Sequence, residues 1–81
     1  MSQEQEFQKQ GMLPVDIKIA LMRKGVTQTA IADKCKVSLS TVQNVIKGRV
    51  RYKMHGRSKP IMLEISRILD KQVSEIWDLS E

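Results

Sequence analysis

Residues 28–48 constrain the fold of this 81-residue chain more than any other stretch. Apolar side chains recur there at helical spacing on both sides of a break at residues 36–38. The hydroxyl groups of Thr27 and Ser38 can each accept a hydrogen bond from an unpaired backbone N–H, so each residue predicts the start of a helix. Gly48 predicts the end of the second helix, because glycine takes a left-handed backbone without steric cost.

The break is too short for the two predicted helices to lie antiparallel, so we expect them to cross at a steep angle. That arrangement is a helix-turn-helix. Helical spacing also gives each helix an apolar inner face, made of Ile31, Ala32 and Cys35 in the first and of Val42, Val45 and Ile46 in the second.

The length, cysteine content and hydropathy of the chain predict a single small domain. A chain of this size buries roughly 60% of its unfolded surface, which can suffice for a core without disulfides. The one cysteine excludes an intrachain disulfide and a cysteine-based metal cluster, and is typical of a reducing cytoplasm. No apolar run approaches the roughly 20 residues that span a bilayer, and the N-terminus lacks the order of a signal peptide. We therefore expect a cytoplasmic protein without a membrane partner.

Positive charge is concentrated on and just after the predicted helix pair. The net charge is +5, yet between Asp33 and Glu64 there are eight Lys and Arg residues, His55 and no acidic residue. The rest of the chain carries six basic and nine acidic residues, a net charge of −3. Such a run predicts a polyanionic partner, and the alternative is a solvated basic face without one. The three aromatic residues argue against a single-strand binder that stacks bases.

The rest of the pattern predicts a flexible polar tail over residues 1–12 and a helical domain over residues 13–81. A first helix is expected over residues 14–24, ended by Gly25, and a fourth over residues 60–71. Their inner stripes are expected to be Ile17, Ala20 and Leu21, with Val15 or Met22 beside them, and Ile61, Ile65, Ile68 and Leu69, with Met62 on the margin.

A short last helix is expected near the C-terminus. The hydroxyl of Ser74 can cap it, and Glu75 in its first turn suits the helix dipole. We expect Trp77 to pack across the bottom of the core, and the alternative is that Trp77 and Leu79 form a dimer surface. The predicted fold class is therefore all-α: a compact domain of four to five helices with a helix-turn-helix.

A long basic loop is expected before the fourth helix. Residues 49–58 read RVRYKMHGRS, in which Val50, Tyr52 and Met54 alternate with basic residues. This alternation fits a small hairpin or wing that turns at residues 55–56. An ordered loop along a phosphate backbone and a flexible basic loop fit the same composition.

The sequence lacks the parts of an enzyme. His55 has no carboxylate near it in sequence to orient it. Cys35 falls on the apolar face of its helix, where a small buried side chain is the common case. There is no glycine-rich phosphate loop and no closely spaced carboxylate pair. We expect no catalytic residue, no metal site and no cofactor.

The second helix of the pair has an outward face suited to reading DNA. In a helix-turn-helix this helix enters the major groove, and its N-terminal outward residues meet base edges. Gln and Asn can pair with adenine through two hydrogen bonds, Ser can donate or accept, and an apolar side chain can contact the thymine methyl. The candidate base-contacting residues are Leu39, Ser40, Gln43 and Asn44, and the alternative is an ordinary polar helix surface, with Leu39 partly in the core.

The same residues resemble the helix-turn-helix of the lambda-repressor-like (Cro/repressor-type) family of phage and bacterial regulators. The resemblance covers residues 17–48 well and residues 60–79 in outline, and the EIW sequence at residues 75–77 resembles the Ner-like phage regulators. The matching features are Gln28 at the start of the first helix, Ala32-Asp33-Lys34, Val37 in the turn, and Ser40-Thr41-Val42, Asn44 and Gly48 in the second.

The resemblance implies a five-helix, sequence-specific DNA-binding domain that regulates transcription. It implies that Gln28 binds phosphate at the start of its helix and braces the recognition helix, and that Ser40 contacts a base. Two positions depart from the family pattern. Lys36 stands where the family usually has glycine, so either it takes a strained left-handed backbone or the turn differs slightly from that of the family. Leu39 stands where a polar residue is common.

We therefore expect a phage- or prophage-type repressor that places residues 39–47 in the major groove of a double-stranded operator and occludes a promoter. A homodimer on a palindromic site is one expected state, and no small-molecule effector is expected. The expected DNA-backbone contacts are Gln28, Thr29, Ser38, Thr41, Lys47, Arg49, Arg51, Lys53, Arg57 and Lys59.

A second hypothesis is a protein-interaction module of the same fold, such as an antitoxin or an antirepressor that binds another protein. An exposed apolar patch would distinguish it, because a protein partner needs apolar surface to cover. The candidates for that patch are Phe7, Met12, Trp77 and Leu79.

Overall fold

A computed structural model describes residues 11–48 and 56–77, which form a compact domain of five α-helices without a strand. The all-α prediction is therefore confirmed for this part of the chain. The proposed wing falls on residues 49–55, which lie outside the described residues, as do residues 1–10 and 78–81. The helices are α1 (Pro14–Arg23), α2 (Gln28–Cys35), α3 (Leu39–Ile46), α4 (Ser58–Leu69) and α5 (Val73–Ile76).

A single apolar core takes side chains from all five helices. The inner faces predicted for α2 and α3 are confirmed, with Cys35 only partly buried. In α4 the extent of burial differs from the prediction: Met62, expected at the margin, is fully buried, and Ile68, expected in the inner stripe, is only partly buried. The buried core consists of Ile17, Leu21, Ile31, Ala32, Val42, Val45, Ile46, Ile61, Met62, Ile65, Leu69, Ile76 and Trp77.

The predicted helix boundaries around α2 and α3 are confirmed by their hydrogen bonds. The Thr27 hydroxyl accepts from the Ala30 N–H at 3.0 Å, and the Ser38 hydroxyl accepts from the Thr41 N–H at 3.2 Å. Gly48 follows the end of α3 with a left-handed φ of +76°. Local side-chain chemistry therefore defines where both helices begin and where α3 ends.

The starts of α4 and α5 lie close to the predicted positions, but the predicted cap of α5 is wrong. Helix α4 begins at Ser58, two residues before Pro60, since proline is tolerated within a first turn, where its missing N–H is not needed. Helix α5 begins at Val73, so Ser74 lies inside the helix and does not cap it. The Glu75 carboxylate instead accepts from the N–H of Gln72, the N-cap residue, at 3.3 Å.

Trp77 connects the end of the described chain to α3. Trp77 is 5% exposed, and its indole N–H donates to the carbonyl oxygen of Val45 at 2.9 Å. The prediction that Trp77 packs in the core is confirmed, and Leu79, the other residue of the alternative dimer surface, lies outside the described residues. Met12, at the predicted boundary of the N-terminal tail, packs against the core, and its N–H donates to the Ile76 carbonyl at 2.7 Å.

The turn between α2 and α3 contains a strained residue. Lys36 has φ 59° and ψ 46°, which is the left-handed conformation expected from its position. An L-residue pays roughly 1–2 kcal/mol there, because its Cβ approaches a carbonyl oxygen.

Replacing Lys36 with glycine is therefore expected to stabilise the fold. The strain energy that glycine relieves exceeds the free-energy cost of its extra entropy in the unfolded state. Lys36→Gly should therefore raise the free energy of unfolding by about 0.5–1 kcal/mol. Urea denaturation of the purified chain measures this change. The matched control is Lys47→Gly, since Lys47 has a right-handed φ of −75° and should lose stability instead. Equal effects of the two substitutions would contradict the assignment of strain to Lys36.

Candidate nucleic-acid interface

Helix α3 presents a polar face opposite its buried one. Leu39, Ser40, Asn44 and Lys47 are exposed and Gln43 is partly exposed. At about 100° per residue these five side chains share an arc of roughly 140° that points away from the core. The structure thus places all four predicted base-contacting residues on one surface, and Lys47, a predicted phosphate contact, lies on the same surface. Leu39 is 40% exposed, so it belongs to this surface rather than to the core.

Three hydroxyl groups order the start of this surface. The Ser38 Oγ lies 2.8 Å from the Thr41 Oγ1 and 3.1 Å from the Ser40 Oγ. Ser38 and Ser40 are exposed, whereas Thr41 is partly buried. The hydroxyls therefore stay at the accessible N-terminal end of α3, where an external acceptor or donor can meet them.

The starts of α2, α3 and α4 carry no acidic side chain to offset the positive end of the helix dipole. No acidic residue lies in the first turn of α2, α3 or α4, whereas α1 and α5 contain Asp16 and Glu75 there. The first backbone N–H groups of a helix have no intrahelical acceptor, and they favour anions. Thr29 is exposed in the first turn of α2. These helix starts are therefore suited to phosphate groups.

Two cations make the start of α4 more electropositive still. Arg57 is the N-cap residue and Lys59 lies in the first turn, and both are exposed. Cations at this end of a helix oppose its dipole, so they are locally unfavourable without an anion nearby. Both were predicted as backbone contacts. The other predicted contacts in this loop, Arg49, Arg51 and Lys53, lie outside the described residues.

Gln28 is held between the start of α2 and α1. Its side chain is partly buried, and its Oε1 atom is buried without a hydrogen-bond partner in the described part of the chain. It lines a cavity of about 400 Å³ together with Lys18 and Met22. Because the buried atom is the acceptor, the amide N–H groups are the part of Gln28 that can donate to an external oxygen.

Glu64 removes one lysine from the predicted basic surface. Its Oε2 lies 3.3 Å from the Lys34 Nζ, and Arg67 binds the same carboxylate through its Nε, 3.3 Å from Oε1. Hydrogen bonding from Arg67, followed by that from Lys34, holds the pKa of Glu64 below its ordinary value. Lys36, Lys47, Arg57 and Lys59 make no ion pair within residues 11–48 and 56–77.

We also examined the described residues for a reactive thiol, a metal site and a membrane-spanning helix. Burial, and then the nearby Glu64 carboxylate, raise the pKa of the Cys35 thiol, so the reactive thiolate is disfavoured. Among the described residues no three His, Cys, Asp or Glu side chains are placed to hold a metal ion. No helix within the described ranges is long and apolar enough to cross a bilayer.

The two described candidates for an exposed apolar patch are not exposed. Trp77 is buried and Met12 partly so, while Phe7 and Leu79 lie outside the described residues. Instead, α1 exposes a row that we name the outer α1 stripe. Its residues are spaced by four and then three positions, the helical spacing from which the row could have been predicted. The stripe consists of Val15, Ile19 and Met22.

The candidate interface is the outward face of α3, and the N-terminal ends of α2 and α3 and the basic start of α4 are candidate phosphate sites. Comparison with known proteins adds no relative: no family model matches the chain, and no curated protein or solved structure matches it.

The Glu64 cluster generates a prediction about pH. The pKa of Glu64 is lower in the folded chain than in the unfolded chain. The ionised carboxylate therefore stabilises the fold fully at pH values above its unfolded pKa of about 4.3. This stabilisation is lost as the pH falls through the folded-state pKa. Glu64→Gln should lower the free energy of unfolding by about 0.5–1 kcal/mol at pH 7. The difference from the native chain should disappear in acid, as measured by urea denaturation across pH. Asp33→Asn, at an exposed carboxylate with no ion pair in the described residues, is the control and should change little.

Proposed function

We propose that this protein is a sequence-specific double-stranded DNA-binding transcriptional regulator of the lambda-repressor-like, helix-turn-helix type. The observation that carries the proposal is the outward face of α3, where Ser40, Gln43 and Asn44 stand together opposite a fully buried apolar face. An α-helix fits the major groove, and these groups match the donors and acceptors of base edges there. In this proposal α2 and α3 form the helix-turn-helix and α3 is the recognition helix.

Each outward residue of α3 has a separate role in the proposed complex. Gln43 and Asn44 pair with adenine through two hydrogen bonds, and Ser40 donates to or accepts from a base near the start of the helix. Leu39 contacts a thymine methyl, which suits an exposed apolar side chain in that position. Lys47, at the end of α3, reaches a phosphate. The base contacts give sequence specificity, and the phosphate contact gives affinity.

Phosphates are held by helix starts and by unpaired cations in this proposal. The first turns of α2 and α3 point N–H groups outward beside Gln28, Thr29, Ser38 and Thr41. Arg57 and Lys59 at the start of α4 add charge that has no ion pair in the described residues. A phosphate there would remove their local conflict with the helix dipole. Arg49, Arg51 and Lys53 remain proposed contacts, because their sequence is basic and lies between these elements.

The proposed biological role is repression by promoter occlusion in the cytoplasm of a phage- or prophage-carrying cell. A domain bound in the major groove excludes polymerase from the same duplex without any catalytic step. The proposal includes no cofactor, and two copies on a palindromic operator would double the number of base contacts.

Substitution of Asn44 tests the recognition helix. Asn44→Ala should cost about 1–3 kcal/mol of binding to the selected duplex and should relax the preference at one base pair. Lys47→Ala is the control that separates the two roles, since it should weaken all duplexes alike. Fluorescence anisotropy with the selected duplex and a scrambled duplex measures both effects. Full-strength binding by Asn44→Ala would show that α3 does not face the bases as proposed.

Salt dependence tests the phosphate contacts. If each copy neutralises about five phosphates, a plot of log affinity against log salt concentration should have a slope near −4 to −5. Arg57→Ala should make the slope shallower by about one, because one phosphate contact is removed. Lys71→Ala is the matched control, since Lys71 is exposed at the opposite end of α4 and should leave the slope unchanged. A native slope near zero contradicts the assignment of phosphates to these elements.

A second candidate function is a protein-interaction module of the same fold, and the outer α1 stripe favours it. Exposed apolar rows are unusual on monomeric proteins unless they bind something. Selection of bound duplexes from a random library separates the two functions. Enrichment of a common sequence supports the regulator. No enrichment, together with capture of one protein partner that Ile19→Glu abolishes, supports the interaction module.

A further inference from the structure

Leu39 is an apolar side chain on an otherwise polar surface. It is the first residue of α3 and is 40% exposed. The other exposed side chains of the outward face belong to Ser40, Asn44 and Lys47, and each carries a hydrogen-bonding or charged group. Leu39 is therefore the one large apolar side chain that the two described helices α2 and α3 expose.

The start of α3 fixes the point from which Leu39 projects. The Ser38 hydroxyl beside it caps the helix by accepting from the Thr41 N–H at 3.2 Å. At about 100° per residue, Leu39 stands about 20° from the buried Ile46 and about 40° from Gln43 around the axis of α3. Leu39 thus lies at the edge of the outward face, where part of its surface is covered and the rest meets solvent.

A leucine side chain can contact only an apolar feature of a base favourably. Base edges in the major groove present hydrogen-bond donors and acceptors, and the C5-methyl group of thymine is the apolar group among them. A polar edge that leucine covers loses its water without gaining a partner, which is unfavourable. Cytosine presents an amino donor and no methyl group. Cytosine that is methylated at C5, however, carries a methyl group at the same ring position as thymine.

We propose that Leu39 makes binding depend on the C5-methyl group of one pyrimidine in the operator. Thymine and 5-methylcytosine satisfy Leu39 at this position, and unmodified cytosine does not. This dependence rests on the proposed function, which places α3 in the major groove. Its consequence is regulatory, because methylation of a cytosine there strengthens binding without any change in the base sequence.

Spacing along α3 places the methyl group near the adenine proposed for Gln43. Leu39 and Gln43 are four residues apart on one row of the helix surface, so their Cα atoms are separated by about 6 Å along the axis. Consecutive base pairs are stacked about 3.4 Å apart. The methyl-bearing pyrimidine should therefore lie within about two base pairs of the position where Gln43→Ala relaxes the base preference.

Replacement of thymine by uracil tests the methyl contact in the duplex that the full chain selects from a random library. Uracil lacks the C5-methyl group and keeps the same base-pairing edge. At one thymine position the replacement should weaken binding by the native chain about fourfold, which is the effect of burying one methyl group. Leu39→Ala should bind the thymine and uracil duplexes nearly equally, because alanine is too short to cover the methyl group. Fluorescence anisotropy measures all four affinities.

Leu63→Ala is the matched control for this experiment. Leu63 is 46% exposed on α4, outside the outward face of α3. Its substitution should leave both the affinity for the selected duplex and the difference between thymine and uracil unchanged. Circular dichroism spectra show whether each variant is folded.

Cytosine methylation tests the regulatory consequence. A C·G pair in place of T·A at the uracil-sensitive position should weaken binding by the native chain. With 5-methylcytosine in that pair, the affinity should rise about fourfold above that for unmodified cytosine. Leu39→Ala should not distinguish the two forms of cytosine.

Three results would overturn the proposal while leaving the proposed function intact. The first is a selected duplex in which no thymine is sensitive to replacement by uracil. The second is equal sensitivity in the native and Leu39→Ala chains, which assigns the methyl effect to another residue or to the shape of the duplex. The third is equal binding of cytosine and 5-methylcytosine. Selection of no common duplex would contradict the proposed function itself, and the dependence on Leu39 with it.

Discussion

The packing of Val42, Val45 and Ile46 into the core determines which side of α3 faces solvent. These side chains are almost fully buried, and the indole N–H of Trp77 donates to the Val45 carbonyl from the opposite end of the described chain. The helix is thereby fixed against rotation about its own axis, because any turn would expose apolar surface. Everything proposed for the outward face of α3 depends on this constraint.

Two exposed cations at the start of α4 are locally unfavourable for stability and suited to binding an anion. Arg57 and Lys59 oppose the dipole of α4 and make no ion pair in the described residues. By contrast, Lys34 and Arg67 share Glu64. A polyanion gives one physical reason for that distribution.

Features set by short-range chemistry were predictable from the sequence, and those set by packing were not. Thr27, Ser38 and Gly48 define α2 and α3 through hydrogen bonds and backbone preference within a few residues. The sequence correctly placed Ile17 and Leu21 on the buried face of α1, but Val15 and Met22, expected beside that face, are exposed. It also missed the pairing of Lys34 with Glu64, which are distant in sequence. One short-range feature was predicted wrongly, because two adjacent residues could cap α5 and Glu75 rather than Ser74 does so.

Amide chemical shifts during titration with a short duplex show directly whether the outward face of α3 meets the DNA. The measurement reports on each backbone N–H, and so on which surface meets the DNA. We expect the shifts to concentrate in the first turns of α2 and α3 and along Gln43, Asn44 and Lys47, with the outer α1 stripe unchanged. Shifts confined to α1, or none at low salt, would contradict this expectation.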